Sequence, residues 1–225
     1  MVATPQVESE PRLSCDGSWI LYLKTEDLES WFAPVAPVQV MRVRLSGGPS
    51  QFVLTARRIV GYRCARAPSS LCLLAELSAD SKQAAFTAFD PVQGRGHEVA
   101  RVSTDGAAVN WDLSPDGSRI ALAKFGESRI RILPVAGGEP RDITVKAWRC
   151  SGSGLDWSAD GKGLYVSRYS PRGVTLLYTD LEGRTTALWG QKGNWITWGV
   201  PSPDGRHLAI LGMTGDSNVW MIENF

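Results

Sequence analysis

The sequence of 225 residues has few cysteines and histidines, and it lacks long apolar or like-charged runs. Its four cysteines, Cys15, Cys64, Cys72 and Cys150, show no Cys-x-x-Cys spacing, and only two histidines accompany them. These features argue against a disulfide scaffold and against zinc, so we expect no metal ion and no cofactor. No apolar run reaches the ~18 residues of a membrane span, and we expect no membrane insertion by this chain.

The charges are balanced and dispersed. There are 24 basic and 23 acidic residues, with a net charge of +1 and no block of one sign. Because phosphate binding needs a concentrated basic face, we expect no nucleic-acid partner. The stretch Met1–Pro11 has neither a basic start nor an apolar core, so we expect no signal peptide and a cytoplasmic location for the chain as given.

What the sequence does contain is an internal repeat. A content of 43% hydrophobic residues, with nine Trp, 23 Gly and 13 Pro, describes a folded and turn-rich chain. Three segments align without gaps, Leu113–Leu122, Trp157–Val166 and Pro201–Ile210, and a fourth copy is Leu13–Tyr22. The Asp of the first three recurs every 44 residues. Equal spacing of one motif indicates a repeat architecture.

Each repeat centres on a Ser-Pro-Asp-Gly-like turn. Pro presets φ, Asp accepts hydrogen bonds from nearby backbone, and Gly tolerates positive φ, so the motif predicts a tight hairpin. We assign the aspartates this structural role. The predicted turn residues are Asp16, Gly17, Asp116, Gly117, Asp160, Gly161, Asp204 and Gly205.

The residues around each turn predict four short strands per module. Arg129–Leu133, for example, alternates charged and apolar side chains with the period of a strand. Four-stranded antiparallel units repeating every 40 to 45 residues or so are typical of β-propeller blades. We therefore predict an all-β chain and a single β-propeller domain over residues 1–225. Its approximate blades are 10–57, 58–102, 103–147, 148–190 and 191–225.

Two modules depart from the template. The first carries an insertion, Lys24–Pro37, which we expect to be a surface loop. The second replaces the Asp-Gly turn with 65–70, flanked by Cys64 and Cys72. These cysteines face each other across the predicted hairpin, either as a disulfide or as two small buried hydrophobic residues.

The repeated core resembles the blade motif of TolB-like (WD40-like) β-propellers. The stretches Tyr62–Cys72, Phe89–Gly94, Trp111–Gly117 and Ser217–Phe225 resemble a bacterial subgroup in which the propeller is the C-terminal part of serine/threonine protein kinases or winged-helix regulators. The resemblance implies a signalling protein. It also implies an extracytoplasmic location if the parent is membrane-anchored.

The fifth module stops after its predicted third strand, Asn218–Ile222. Either Val2–Glu10 supplies the missing strand and closes a five-bladed ring, or the chain is an open arc of a larger ring. The resemblance favours the arc. An open arc would expose sheet surface and favour self-association.

Catalytic motifs are missing from the sequence. We find no Gly-x-Ser-x-Gly elbow, no phosphate-binding loop and no kinase Asp-Phe-Gly motif, and so we expect no enzyme activity. Candidate binding residues form two groups. Asp112 and Asp156 lie four residues before the turn Asp on the innermost strand. They are either buried carboxylates bonded to the neighbouring blade or a cation or polar-ligand site at the ring axis.

The second candidate group is a loop rich in aromatic residues near Gly190–Gly193. Its tryptophans either fill the core between blades or form a binding surface, for which Lys192, Asn194 and Trp195 are the candidates. The sequence thus predicts a non-catalytic module that senses a small polar ligand or binds a protein. The alternative is an accessory propeller that gates substrate for a prolyl-oligopeptidase-like hydrolase or a kinase whose catalytic domain is absent from this chain.

Overall fold

The computed structural model describes residues 6–26, 37–146, 148–150, 154–192 and 194–214, and the side chains of 194–196 and 212–214 lie outside the description. Within those residues there are 18 β-strands and no helix. Four sheets of four antiparallel strands and one sheet of two are arranged as a β-propeller, which confirms the predicted fold class. No helix in the described part of the chain is long and apolar enough to cross a membrane.

Strands follow one another from the inside of each blade to its outside. Blade one contains β1 (Val7–Leu13), β2 (Trp19–Thr25), β3 (Val38–Arg44) and β4 (Gln51–Ala56). Blade two contains β5 (Ile59–Cys64), β6 (Cys72–Leu77), β7 (Gln83–Asp90) and β8 (Gly94–Ser103).

The remaining blades repeat this order. Blade three contains β9 (Val109–Leu113), β10 (Arg119–Lys124), β11 (Arg129–Pro134) and β12 (Arg141–Thr144). Blade four contains β13 (Leu155–Trp157), β14 (Gly163–Ser170), β15 (Gly173–Asp180) and β16 (Thr185–Gln191). Blade five is described as a pair, β17 (Asn194–Pro201) and β18 (Leu208–Thr214).

The hydrophobic cores lie between blades rather than inside them. Strand β10 shows why: Ile120 and Leu122 pack into the core shared with blade two, whereas Ala121 and Ala123 pack into the core shared with blade four. Successive side chains of a strand point to opposite faces, so an apolar strand needs a neighbour on each side. A third core joins blades one and two.

The predicted turns share one hydrogen-bond pattern. In the turn of blade three, the Ser114 hydroxyl donates to Asp116 Oδ1 at 2.6 Å, and the Ser118 amide donates to the same oxygen at 3.0 Å. Equivalent bonds recur at Asp16, Asp160 and Asp204. Hydrogen bonds from Ser14 and Ser18 lower the pKa of Asp16 to about 2, so this turn former is ionised at neutral pH. The glycine that follows has φ between 66° and 75° in all four turns.

A fifth copy of the turn was missed from the sequence. It connects β6 to β7, where the Ser78 hydroxyl donates to Asp80 Oδ1 at 2.6 Å and the Lys82 amide donates to it at 3.1 Å. Ser81 occupies the glycine position at φ 57°. This copy does not match the Asp-Gly pattern because a serine stands in place of the glycine.

The structure corrects the predicted start of the insertion in blade one and one alternative for the missing strand of blade five. A third prediction falls on residues outside the description. Lys24 and Thr25 belong to β2, so the insertion begins later than predicted, and residues 27–36 lie outside the described part. Val7–Glu10 do not complete blade five, because they form part of β1 and pair with β2. Residues 2–5 and the predicted strand Asn218–Ile222 lie outside the described residues.

The antiparallel order gives the propeller two distinct ends. The hairpin from first to second strand and that from third to fourth strand lie at one end, which we call the turn end. The hairpin from second to third strand and the connection to the next blade lie at the other, which we call the loop end. Asp16, Asp116, Asp160 and Asp204 are at the turn end.

Candidate binding sites

Charged side chains surround the propeller axis near its turn end. Each innermost strand contributes its penultimate residue to this axial group, and the five residues are Arg12, Arg63, Asp112, Asp156 and Val200. The four charged members are half-buried, and Val200 is 41% exposed. Two cations and two carboxylates therefore occupy equivalent positions on four adjacent blades.

Asp112 is bonded to both neighbouring blades. Its Oδ1 accepts a hydrogen bond from Arg63 Nε at 3.0 Å, and its Oδ2 accepts one from the Trp157 backbone amide at 2.8 Å. Arg63 also donates to the Tyr62 carbonyl at 2.8 Å. In the structure Asp112 thus takes the first of its two predicted roles, a carboxylate bonded to the backbone of the next blade.

Asp156 lies in a different electrostatic environment. Burial raises the pKa of its carboxyl to about 7, and the Asp112 carboxylate adds to the rise, against the opposing effect of Arg63 and Arg12. Burial also lowers the pKa of the Arg12 guanidinium. The buried Arg12 Nε and Trp111 Nε1 atoms have no hydrogen-bond partner among the described residues. The axis is therefore a polar region whose proton content changes near neutral pH.

The structure separates the candidates proposed from the sequence. Asp112 and Asp156 lie together at the axis near the turn end, whereas Lys192 lies at the loop end between β16 and β17. Asn194 and Trp195 belong to β17, but their side chains lie outside the description. Arg12 and Arg63 were missed, although Arg12 precedes Asp16 by the same four residues that separate Asp112 from Asp116.

Two adjoining cavities at the loop end form a basic cleft. The first has a volume of about 560 Å³ and lies between blades three and four, with Lys146, Arg149 and Arg168 in its lining. The second has a volume of about 280 Å³ and is lined by Arg168, Arg172 and Lys192. Arg168 and Ser170, from the β14–β15 hairpin, line both. No acidic residue is among the described residues that line either cavity.

The basic cleft also has an aromatic component. Trp148 is 2% exposed and donates from Nε1 to the Ser167 carbonyl at 2.8 Å, which fixes its ring between the blades. Tyr169 is 59% exposed beside it. None of the five cations forms an ion pair with another described residue, although Arg149 donates to the Gly126 carbonyl at 3.0 Å.

Three cysteines meet at the turn end. Cys64 and Cys72 pair across the β5–β6 hairpin and are joined by a disulfide in the structure. The Sγ atom of Cys15, in the turn of blade one, lies 3.7 Å from Cys72 Sγ. Burial raises the pKa of the Cys15 thiol to about 11. Cys15 therefore remains a thiol beside the disulfide at neutral pH.

Comparison with known proteins supports the fold. No protein-family model matches the sequence, and no curated protein shows significant similarity to it. Among solved structures, putative TolB from Agrobacterium tumefaciens is 18% identical, with a TM-score of 0.69 over 95% of this chain and 73% of that one. TolB from Acinetobacter baumannii is 16% identical, with a TM-score of 0.59 over 83% of this chain and 46% of that one.

A third solved structure is the β-propeller domain of the Trilobed protease from Pyrococcus furiosus, which is described as having an open velcro topology. It is 11% identical, with a TM-score of 0.54, and the alignment covers 96% of this chain and 66% of that one. At these identities the likeness establishes the fold alone. The chain has a TolB-like β-propeller fold.

Proposed function

We propose that this chain is a non-catalytic protein-binding module of a signalling protein and that its basic cleft receives an acidic segment of the partner. The observation that carries the proposal is the cleft itself, in which five cations converge at the loop end. Loops held on a rigid scaffold are common sites of recognition. The signalling context rests on the resemblance of Tyr62–Cys72 and Trp111–Gly117 to propellers attached to kinases and winged-helix regulators.

The composition of the cleft favours an acidic polypeptide. Arginine and aromatic side chains are enriched where proteins bind one another, and this cleft combines Arg149, Arg168 and Arg172 with the exposed Tyr169. Guanidinium groups bind carboxylates through paired hydrogen bonds. The net charge of +1 gives little long-range attraction for a nucleic acid, whose binding requires many phosphate contacts.

The proposal is tested with a fluorescein-labelled peptide of eight glutamates as the probe. We expect fluorescence anisotropy to report saturable binding that weakens as salt is added, because exposed charges are screened. The double variant Arg168→Glu/Arg172→Glu should bind the peptide at least about tenfold more weakly, which corresponds to about 1.4 kcal/mol.

A matched control reverses the same number of charges at the other end. Arg141 and Arg184 are 59% and 78% exposed, and both lie beside hairpins of the turn end. The variant Arg141→Glu/Arg184→Glu should bind the peptide within about twofold of the parent protein, since these charges lie away from the cleft. If both variants lost the same affinity for the peptide, the effect would come from net charge and not from the cleft. Tighter binding of a labelled single-stranded oligonucleotide than of the peptide would overturn the protein-partner proposal.

A second candidate is a substrate-gating accessory propeller for a catalytic domain that this chain does not contain. It is supported by the likeness to the propeller domain of the Trilobed protease. A hydrolase domain with a Gly-x-Ser-x-Gly motif encoded next to this chain would favour it, whereas a kinase or winged-helix domain there would favour the first candidate. Both candidates would be contradicted if the purified chain hydrolysed a peptide or an ester and every cleft variant retained that activity.

A further inference from the structure

We propose that the reduced protein binds a thiophilic metal ion, Zn²⁺ or an ion of similar chemistry, through Cys15, Cys64 and Cys72. The three Sγ atoms all lie within 4.8 Å of one another. Cys15 comes from the turn of blade one, and Cys64 and Cys72 come from the first hairpin of blade two. Cys15 and Cys72 are 57 residues apart in the sequence. The fold, not the sequence spacing, brings these sulfurs together.

One of the sulfur–sulfur distances already matches that of two ligands of one ion, and reduction of the disulfide frees the third sulfur. A Zn–S bond is about 2.3 Å long, so two thiolates on a tetrahedral zinc lie about 3.8 Å apart. Cys15 Sγ and Cys72 Sγ are 3.7 Å apart in the structure. The Cα atoms of Cys64 and Cys72 are 4.0 Å apart as a directly paired couple, so side-chain rotation alone can separate their sulfurs once the disulfide is reduced.

The local backbone holds the three residues in place. The loop that joins β5 to β6 is docked on the turn of blade one, because the Ala67 amide donates to the Cys15 carbonyl at 3.1 Å. The Cys15 thiol points to the Leu71 carbonyl at 3.4 Å. An ion bound here would therefore join blades one and two, with its fourth position open to water.

The surroundings favour a cation and allow it to enter. Asp16 and Asp90 are near enough to act electrostatically on Cys15. Cys15 and Cys64 are half-buried, whereas Cys72 is buried, so the group is reached from one side. Thiolate ligands select Zn²⁺ and other soft ions.

The sister blades show that these cysteines are replaceable structural positions. The place of Cys15 is taken by Pro115, Ala159 and Pro203 in the other turns. The place of the Cys64–Cys72 pair is taken by Leu113 and Ile120 in blade three. Since apolar residues serve the fold at each position, a coincidence of three cysteines points to a shared ligand.

Disulfide and metal site exclude each other, because both need the sulfurs of Cys64 and Cys72. The test therefore compares one polypeptide in two states, the oxidised chain and the chain reduced with a phosphine and desalted without oxygen. Cd²⁺ is the probe, since its thiolate complexes absorb in the ultraviolet. We expect the reduced chain to bind one equivalent of Cd²⁺ with this absorption and to release it to excess Zn²⁺. We expect no such absorption from the oxidised chain.

Cys15→Ala is the decisive variant because Ala159 shows that the turn accepts alanine. We expect it to bind Cd²⁺ at least about tenfold more weakly than the parent, the effect of losing one ligand being of this order or greater. Cys150→Ala is the matched control, since Cys150 lies in the core between blades three and four, and it should bind as the parent does. Unchanged binding by Cys15→Ala or by the oxidised chain would overturn the proposal, as would absence of the absorption from the reduced parent.

Discussion

Arg63 and Asp112 hold the same position on adjacent innermost strands, and Arg63 Nε donates to Asp112 Oδ1 at 3.0 Å. Asp112 also accepts the Trp157 backbone amide, so one carboxylate connects three blades close to the axis. The hydrophobic cores join blades in pairs, whereas this polar link extends over three. We expect it to contribute to stability as a unit.

Replacing Arg63 by methionine tests that expectation. The change leaves Asp112 and Asp156 with one cation fewer. The side chains of Arg63 and Asp112 are only 17% and 13% exposed, so the ion pair is largely buried. Removing one partner of a largely buried ion pair costs about 3 kcal/mol. Urea denaturation at pH 8 should show a loss of about 2–3 kcal/mol. The exposed Arg141→Met, whose nearest carboxylate lies 3.9 Å away, should lose less than about 0.5 kcal/mol, and equal losses would contradict the assignment.

Asp156 predicts a dependence of stability on pH. Its pKa rises from 3.8 to about 7 in the folded protein, so between these values the folded state holds a proton that the unfolded state has released. The resulting stabilisation is present below the lower value and is lost as pH rises toward the higher. Asp156→Asn lacks this titration, so its stability relative to the parent should increase with pH across this window, by at most about 1.4 kcal/mol per pH unit.

The measurement is a set of urea titrations at several pH values from acid to neutral. Asp16→Asn is the control, because the pKa of Asp16 is lowered to about 2 and the carboxyl does not titrate in that window. A constant difference between Asp156→Asn and the parent would contradict the raised pKa.

Two glycines of the repeated turn differ in what surrounds them. Gly17 has φ +70° and open space where a Cβ would lie, whereas a Cβ on Gly117, at φ +75°, would lie 2.6 Å from Ser69 Oγ and 3.2 Å from Ala65 Cβ. Gly17→Ala should cost about 1–2 kcal/mol from the left-handed conformation alone. Gly117→Ala should cost about 1 kcal/mol more because the loop of blade two must shift. If the two variants lost similar free energies of unfolding, measured by heat or urea, the loop of blade two would have to move without a cost in stability.

Ser81 predicts the reverse effect. It holds φ 57° where the sister turns hold glycine, and among the described residues its hydroxyl accepts only a 3.5 Å contact from Arg58. Ser81→Gly should raise the free energy of unfolding by about 0.5–1 kcal/mol, since relief of strain outweighs the added freedom of the unfolded chain. Ser81→Ala keeps the strain and should bring no gain. A destabilised Ser81→Gly would show that the serine contacts matter more than its backbone conformation.

The fold could be predicted from the sequence because the same turn recurs with its flanking strands. Asp116 and Asp160 mark equal modules, and alternation around Ile120 and Ala121 shows that both sheet faces are buried. Blade two was harder, since Ser81 replaces glycine in its copy of the repeated turn and that turn follows the second strand instead of the first.

The sites were less visible for physical reasons. Asp112 and Asp156 share one repeat position and one residue type, whereas blade one has the opposite charge, Arg12, at that position. The cations of the basic cleft come from three separate segments, 146–149, 168–172 and 192, so a search for charge blocks passes over them. The cysteine group likewise joins residues 57 apart in the sequence, which no short spacing rule detects.

The repeated turns and the basic cleft occupy opposite ends of the propeller. Four ionised turn aspartates lie at the turn end, and the five cations of the basic cleft lie at the loop end. An acidic segment bound in the cleft would therefore leave the repeated turns at the other end of the propeller uncovered.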